Sequence, residues 1–315
     1  MKRISITVSA IAASALLLAG CSGAESAADE SSEAPITVKT GQGEVEVPAN
    51  PERIVALQSA AADVAAALGK APSAVAGSTM AGEDGRYPWQ QNIDAETVDI
   101  TLVGEEDFTV DVEKIAALEP DLIFAAPWNV TDKKVYEQLS EIAPVVTPDS
   151  EAANPDWDST VKTVGSALGL DDEAEDLISS TESELGEEGK ELGVQGKTYQ
   201  LISPQRGSIF FGKAKPLELY GLEPGKHQSE DEVNSYELSF EKMSELDADY
   251  LLIWPLDDQG KKQVEENPAY DSLPSVKNGN AEFVDTEFDS ALNGASPASL
   301  TWLNEQGGMK EILGK

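Results

Sequence analysis

The chain has 315 residues, of which 58 are Asp or Glu and 22 are Lys or Arg, so its formal net charge is −36. Phosphate backbones and anionic lipids are bound by basic faces, so this charge argues against nucleic acid as a partner and against membrane docking through a basic patch. The length is sufficient for two α/β lobes that each bury a core.

The N-terminus is typical of an export signal. Lys2 and Arg3 precede an apolar run that is too short for a comfortable membrane span and that ends in Leu-Ala-Gly-Cys21. This ending resembles the signal of bacterial lipoproteins, in which the cysteine is lipidated and becomes the mature N-terminus; an ordinary secretory signal is the alternative. We therefore predict a signal peptide at 1–20, a lipid on Cys21, a flexible tether at 21–35, and a location on the outer face of the bacterial cell membrane. No other cysteine exists to form a disulfide or a thiolate metal cluster.

The first half alternates short β-branched runs with helical runs, which indicates parallel strands with right-handed crossovers. Strands are predicted at 36–39 and 44–47, as a hairpin, and then at 54–57, 74–77, 122–125 and 145–146. Helices are predicted at 60–68, 112–118 and 133–142.

The run 157–192 has apolar residues at helical spacing. Gly165 and the step at 169–172 interrupt it, so we predict a shorter helix, a break capped by Asp171, and a longer helix. Beyond it, strands are predicted at 199–202, 209–211, 250–253 and 282–284, and helices at 216–220, 240–246, 262–266 and 298–305.

The stretches 118–124 and 246–253 each place a short helix, an acidic turn and a buried strand before a Trp. The sequence therefore predicts an α/β fold of two similar lobes with mainly parallel sheets. The first lobe is expected at 36–170 and the second at 193–315, joined by one long helix at 171–192, with a ligand cleft between the lobes. In such sheets ligand groups gather beyond the carboxyl ends of the strands.

Four stretches, taken in order, resemble the iron-siderophore family of ABC-transporter substrate-binding lipoproteins. They are EVEVPANPERIVAL at 44–57, IAALEPDLI at 115–123, YEQLSEIAP at 136–144 and NPAYDSLPSVKNG at 267–279. The resemblance implies a monomer with two lobes on one stiff helix, without an intrinsic cofactor, that delivers a ferric siderophore to a permease and its ATPase. It also implies that Glu113 and Glu241 dock on arginines of the permease, one from each lobe.

A ferric siderophore is bulky, partly apolar and polar at its rim, so its cleft needs aromatic walls and a few fixed donors. Trp89, Trp128 and Trp254 follow predicted strands, and Tyr87 lies beside Trp89. We expect these four side chains to contact the ligand; the alternative for each Trp is that it covers the core of its own lobe.

Arg206 is the foremost candidate donor, because a guanidinium presents a planar fork to carboxylate, catecholate or hydroxamate oxygens. Lys213 follows closely in the chain, and Arg86 is a second arginine whose alternative is a surface salt bridge. Gln58 could add a neutral hydrogen bond. Few cations are thus available to the cleft, which favours a hydroxamate or mixed siderophore over a highly anionic triscatecholate.

The single histidine cannot supply the ligand set of a zinc or manganese receptor. His227 or Tyr236 could ligate haem, so a haem receptor of the same fold is the main alternative and a cobalamin receptor the next. The chain has no nucleophile elbow, His-Glu-x-x-His motif or phosphate-binding glycine loop, so we predict that it is not an enzyme. A structural lipoprotein without a transport role is a further alternative.

Overall fold

The first lobe is built on a five-stranded parallel sheet. The computed structural model describes residues 34–104, 108–150, 152, 154–230 and 236–315, so the predicted signal peptide, Cys21 and nearly all of the predicted tether lie outside the described residues. The strands are β1 (Ile36–Thr40), β2 (Gly43–Val47), β3 (Ile54–Ala56), β4 (Ala74–Ala76), β5 (Val98–Asp99), β6 (Leu122–Phe124) and β7 (Val145–Val146). β1 and β2 form the predicted antiparallel hairpin, and the sheet has the order β5-β4-β3-β6-β7. β5 was not predicted.

The helices of this lobe are α1 (Ser59–Ala67), α2 (Val112–Ala117) and α3 (Lys133–Ser140), as predicted. Two of them begin at an aspartate whose carboxylate accepts a backbone N–H: Asp111 accepts from Lys114, and Asp132 accepts from Lys134. β3 and β6 are buried at every residue, as expected for central strands covered on both faces.

Two helices follow, α4 (Trp157–Leu168) and α5 (Asp171–Leu192). Gly169 ends α4 in a left-handed conformation with φ 67°. Two details of the prediction are wrong: Gly165 lies inside α4, and Asp171 is the first helical residue of α5 while Leu170 occupies the cap position. No helix within the described ranges is both long enough and apolar enough to cross a membrane.

The second lobe is built on a mixed sheet. Its strands are β8 (Thr198–Gln205), β9 (Ser208–Phe211), β10 (Glu223–Pro224), β11 (Glu237–Ser239), β12 (Tyr250–Ile253) and β13 (Ala281–Phe283). The order is β11-β9-β8-β12-β13, with β10 beside β8. β8, β12 and β13 are parallel, whereas β9 and β11 pair antiparallel, so this lobe resembles the first only in part.

The helices of the second lobe are α6 (Asp258–Glu265), α7 (Pro274–Lys277), α8 (Thr286–Asn293), α9 (Pro297–Glu305) and α10 (Met309–Leu313). The predicted helices at 216–220 and 240–246 are 3₁₀ turns, Lys215–Tyr220 and Phe240–Glu245. α8 was not predicted, and it begins where the Asp285 carboxylate accepts the backbone N–H of Phe288.

The largest apolar core is shared by both lobes. It joins Val64 of α1, Val161 of α4 and Leu185 of α5 to Leu300 of α9, and two smaller cores cover the outer faces of the sheets. The lobes are therefore coupled by buried apolar contacts as well as by the chain.

Close packing of α5 depends on glycine. A Cβ added at Gly189 would lie 2.0 Å from the carbonyl oxygen of Tyr220, whereas a Cβ at Gly186, one turn earlier, would meet nothing nearer than Leu219 O at 3.6 Å. Gly189 thus allows the second lobe to approach the helix backbone, and Gly186 does not have this role.

We predict that Gly189→Ala lowers the free energy of unfolding by roughly 1–3 kcal/mol, because the added methyl group must displace the Tyr220 backbone. Gly186→Ala is the matched control and should raise the free energy of unfolding by up to about 1 kcal/mol through helix propensity. Urea denaturation of both variants measures the two changes. Equal stabilisation by both substitutions would contradict this packing.

Candidate functional site

A cleft of about 850 Å³ lies at the carboxyl ends of the first-lobe strands. Gln58 follows β3, Gly77 follows β4, Ile100 follows β5 and Trp128 follows β6. The opposite side is formed by α8, through Ser290, Asn293 and Gly294. The position agrees with the general location of ligand sites in parallel sheets, and the contribution of α8 was missed because that helix was not predicted.

The inner wall of the cleft is aromatic. The rings of Tyr87 and Trp89 stack in parallel, with centroids 4.6 Å apart and an interplanar angle of 4°. Trp89 also packs against Trp302 of α9, with ring centroids 5.4 Å apart. Both lining residues are largely buried, so they cover the core and face the cleft at the same time.

Asp63 of α1 fixes this wall. Its carboxylate is 5% exposed and accepts hydrogen bonds from Trp89 Nε1 at 2.9 Å, Gln90 Nε2 at 2.7 Å and Ser296 Oγ at 2.7 Å. Ser296 is the residue at which α9 of the second lobe begins, so one carboxylate joins both lobes beneath the cleft. Burial raises the pKa of Asp63 to about 6, although the hydrogen bonds from Ser296, Gln90 and Trp89 act in the opposite direction.

Two neutral amides lie at the ends of neighbouring strands, and both line the cleft. Asn129 accepts the backbone N–H of Ala126 at 2.8 Å through Oδ1, whereas its buried Nδ2 has no hydrogen-bond partner among the described residues. Gln58 Oε1 is likewise buried and unpartnered within the described ranges. Unpaired buried polar atoms are costly, so each needs an explanation, and a ligand that supplies the missing partner is one. Asn129 was missed because a single Asn in a loop carries no periodic signal.

Asp132 is the only charged residue that lines the cleft, as far as the structure describes the chain. The remaining lining side chains are apolar, aromatic, hydroxyl or amide groups. The predicted cations therefore do not meet in this cleft.

The structure places Arg206 in the exposed two-residue turn between β8 and β9, at φ 52°, and not in the lining of the cleft. Trp254 also lies outside the lining; its ring packs against the shared core, and Nε1 donates to Thr286 Oγ1 at 3.4 Å. Neither side chain lines the cleft, because a strand end can face the core or solvent as well as a ligand.

Arg86 and Lys213 are engaged elsewhere. Arg86 donates to Asp84 Oδ2 at 2.7 Å and to Ile93 O at 2.6 Å, which is the local salt bridge named as its alternative. Lys213 is 5% exposed and donates to Asp156 Oδ1 at 2.9 Å and Asn154 O at 2.6 Å. Neither residue lines the cleft.

Lys213 ties the second lobe to the segment that enters α4. Burial raises the pKa of Asp156, but hydrogen bonds from Lys215 and Lys213 outweigh it and hold this pKa below its ordinary value. Beside this ion pair, Asn154 Nδ2 donates to Asn293 Oδ1 of α8 at 2.7 Å, and both asparagines line the cleft. A polar contact between the lobes therefore closes this part of the cleft.

Glu113 and Glu241 are exposed, and each lies in the first turn of a short helix, one in each lobe. The Ser239 hydroxyl accepts the backbone N–H of Glu241, and Asp111 caps the helix of Glu113. The two carboxylates are accessible to a partner.

His227 and Tyr236 lie outside the cleft lining. Their rings stack at 4.1 Å with an interplanar angle of 6°, and His227 Nε2 forms a hydrogen bond with Glu245 Oε2 at 3.0 Å. Hydrogen bonds from Lys226 and His227 lower the pKa of Glu245 to about 2. The two candidate haem ligands thus contact each other and Glu245, and they do not face the cleft.

Residues 54–210 match the family model described as periplasmic binding protein. The putative ABC transporter substrate-binding lipoprotein YhfQ of Bacillus subtilis (strain 168) is 29% identical over 291 residues, which cover 86% of this chain and 87% of YhfQ. The probable siderophore-binding lipoprotein YfiY of the same organism is 28% identical over 306 residues, which cover 90% and 91% of the two chains.

A solved structure is also similar to this chain. Streptococcus pneumoniae TIGR4 PiaA in complex with ferrichrome superposes with a TM-score of 0.73 at 23% identity, covering 89% of this chain and 97% of PiaA. This likeness confirms the predicted two-lobed α/β fold.

Asp289 is a second buried carboxylate, on the α8 helix that lines the cleft. It is 3% exposed. Burial raises its pKa to about 7. The unfolded chain therefore releases this proton at lower pH than the folded chain, so the carboxylate removes stability as pH rises from about 4 to about 7.

We predict that Asp289→Asn raises the free energy of unfolding at pH 8 by up to about 4 kcal/mol, because three pKa units correspond to about that energy. The gain should shrink steadily towards pH 4. Glu287→Gln, with the same change in charge at a position on the same helix that is not buried, is the matched control. Urea denaturation across this pH range is the measurement. A gain in the free energy of unfolding that does not depend on pH would contradict its assignment to the buried Asp289 carboxylate.

Proposed function

We propose that this chain is the substrate-binding receptor of an ABC importer for ferric siderophores, because residues 54–210 match the family model described as periplasmic binding protein. The names of YhfQ and YfiY support the ABC importer and the siderophore. The favoured ligand is a hydroxamate or mixed siderophore.

The observation that carries the ligand class is the chemistry of the cleft. A volume of about 850 Å³ is lined by aromatic, apolar and amide side chains, and Asp132 is the only charged lining residue within the described ranges. A ferric triscatecholate is highly anionic and would enter this cleft without a cation to neutralise it, in a chain of net charge −36. An uncharged ferric hydroxamate avoids that cost.

The proposed contacts with the siderophore are made by side chains that line the cleft. Tyr87, Trp89 and Trp128 supply aromatic faces, which bind bulky apolar surfaces well. Gln58 and Asn129 supply neutral amide groups that match hydroxamate and amide oxygens and N–H groups without adding charge. Arg206, Arg86, Lys213 and Trp254 are not part of the proposed contact set.

We also propose how the receptor is anchored to the membrane and how it contacts the permease. Lipid on Cys21 would hold a monomer on the outer face of the cell membrane, and Glu113 and Glu241 would register the two lobes on the permease by charge-assisted pairing. The names of the relatives as lipoproteins support the anchor.

We predict that a neutral ferric trishydroxamate quenches the intrinsic Trp fluorescence and binds at least about 100-fold more tightly than a ferric triscatecholate or haem. Trp128→Ala should weaken hydroxamate binding about tenfold or more, because an aromatic contact in the cleft is lost. Trp254→Phe and Arg206→Ala are controls outside the cleft, and each should change the affinity less than about threefold. Tight triscatecholate binding without hydroxamate binding would contradict the ligand class, and no binding at all would contradict the receptor.

We predict that the double variant Glu113→Ala and Glu241→Ala abolishes uptake of radioactive iron by cells while the affinity of the purified protein for its ligand is unchanged. The physical reason is that these exposed carboxylates contact the permease and not the ligand. The double variant Glu141→Ala and Glu265→Ala has the same change in charge at other exposed positions and should transport normally. Normal uptake by the first double variant would exclude this docking mode.

A further inference from the structure

The outer part of the cleft exposes apolar side chains to solvent. Among the described residues, Met80, Ile100 and Phe108 are 54%, 45% and 58% exposed, and all three line the cleft. They come from three separate parts of the first-lobe wall, beyond β4, beyond β5 and before the bridge at Val110. Exposed apolar groups that converge in one concavity are typical of a binding site, whereas scattered ones are not.

Phe108 is held in an unfavourable backbone conformation. Its φ is 54°, in the left-handed region that a bulky side chain rarely adopts. Its ring packs edge-on against Trp128, with centroids 5.3 Å apart. The strained backbone thus presents a large aromatic ring at the cleft, a combination that is concentrated at functional positions.

We infer that Met80, Ile100 and Phe108 form an outer apolar subsite that binds a hydrocarbon substituent, an alkyl or acyl chain, of the ferric complex. The inference rests on the proposed function, because it assigns the iron-bearing part of the ligand to the inner wall of Tyr87 and Trp89. The outer apolar subsite lies in the same cleft as that wall, so one ligand can reach both.

Charge favours this occupant over other apolar partners. A second copy of the chain also carries a net charge of −36 and would be repelled from the same face. Anionic lipid would be repelled in the same way. An uncharged alkyl chain has no such penalty and gains affinity from each methylene removed from water.

The test compares the ferric complexes of N-acetyl and N-octanoyl desferrioxamine B, which share one iron-binding core and are both uncharged. The octanoyl complex should bind the full chain at least about tenfold more tightly, because several methylenes enter the outer apolar subsite. Phe108→Ser and, independently, Met80→Ser should remove most of this gain while they leave the affinity for the acetyl complex within about threefold. Leu118→Ser is the matched control, since Leu118 is similarly exposed but lies outside the cleft lining, and it should keep the whole gain.

Equal affinities of the native chain for the two complexes would overturn the outer apolar subsite and leave the receptor intact. A gain that survives both Phe108→Ser and Met80→Ser would also overturn it. Failure of both complexes to bind would overturn the proposed ligand class, and failure of every ferric siderophore to bind would overturn the proposed function itself. The remaining alternative is that a second copy of the chain covers this face, and sedimentation of the ligand-free protein tests it. If the protein is a dimer and Phe108→Ser dissociates it, the face is a self-association surface and the inference is overturned.

Discussion

The cleft depends on one buried carboxylate. Asp63 accepts hydrogen bonds from Trp89, Gln90 and Ser296, and these residues belong to the aromatic wall, its loop and the first turn of α9. Three donors are what makes a buried carboxylate tolerable in this apolar surrounding. The consequence is that the shape of the wall and the junction of the lobes are set by the same group, beneath the place where the ligand is proposed to bind.

Three cations of this acidic chain form ion pairs that hold its structure. Lys213 and Lys215 bind Asp156 across the lobes, Arg86 binds Asp84, and the cleft is left without a cation among the described residues. An acidic protein that captures an uncharged complex therefore needs no local reversal of its charge. In the proposed function, the apolar and amide lining selects the ligand by contact area and by neutral hydrogen bonds.

Periodic signals in the sequence predicted the hairpin, α1, α4, α5 and the central strands, because each is long or strongly apolar. β5 was not predicted because a two-residue strand is too short to show a period. α8 was not predicted because its apolar residues are only Phe288, Ala291 and Leu292, after the capping Asp285. Of the residues expected to contact the ligand, four line the cleft (Gln58, Tyr87, Trp89 and Trp128), whereas Arg206, Arg86, Lys213 and Trp254 do not. Residue type indicates what a side chain could bind, but its partner is fixed by tertiary contacts such as that of Lys213 with Asp156.

The most direct measurement is a crystal structure of the protein soaked or grown with a ferric trishydroxamate, in which anomalous scattering locates the iron. The account predicts one iron position in the cleft, between the wall formed by Tyr87 and Trp89 and the α8 residues Ser290 and Asn293. It also predicts that the hydrogen bonds of Asp63 are kept when the ligand is bound. Iron located beside Arg206, or at His227 and Tyr236, would contradict it.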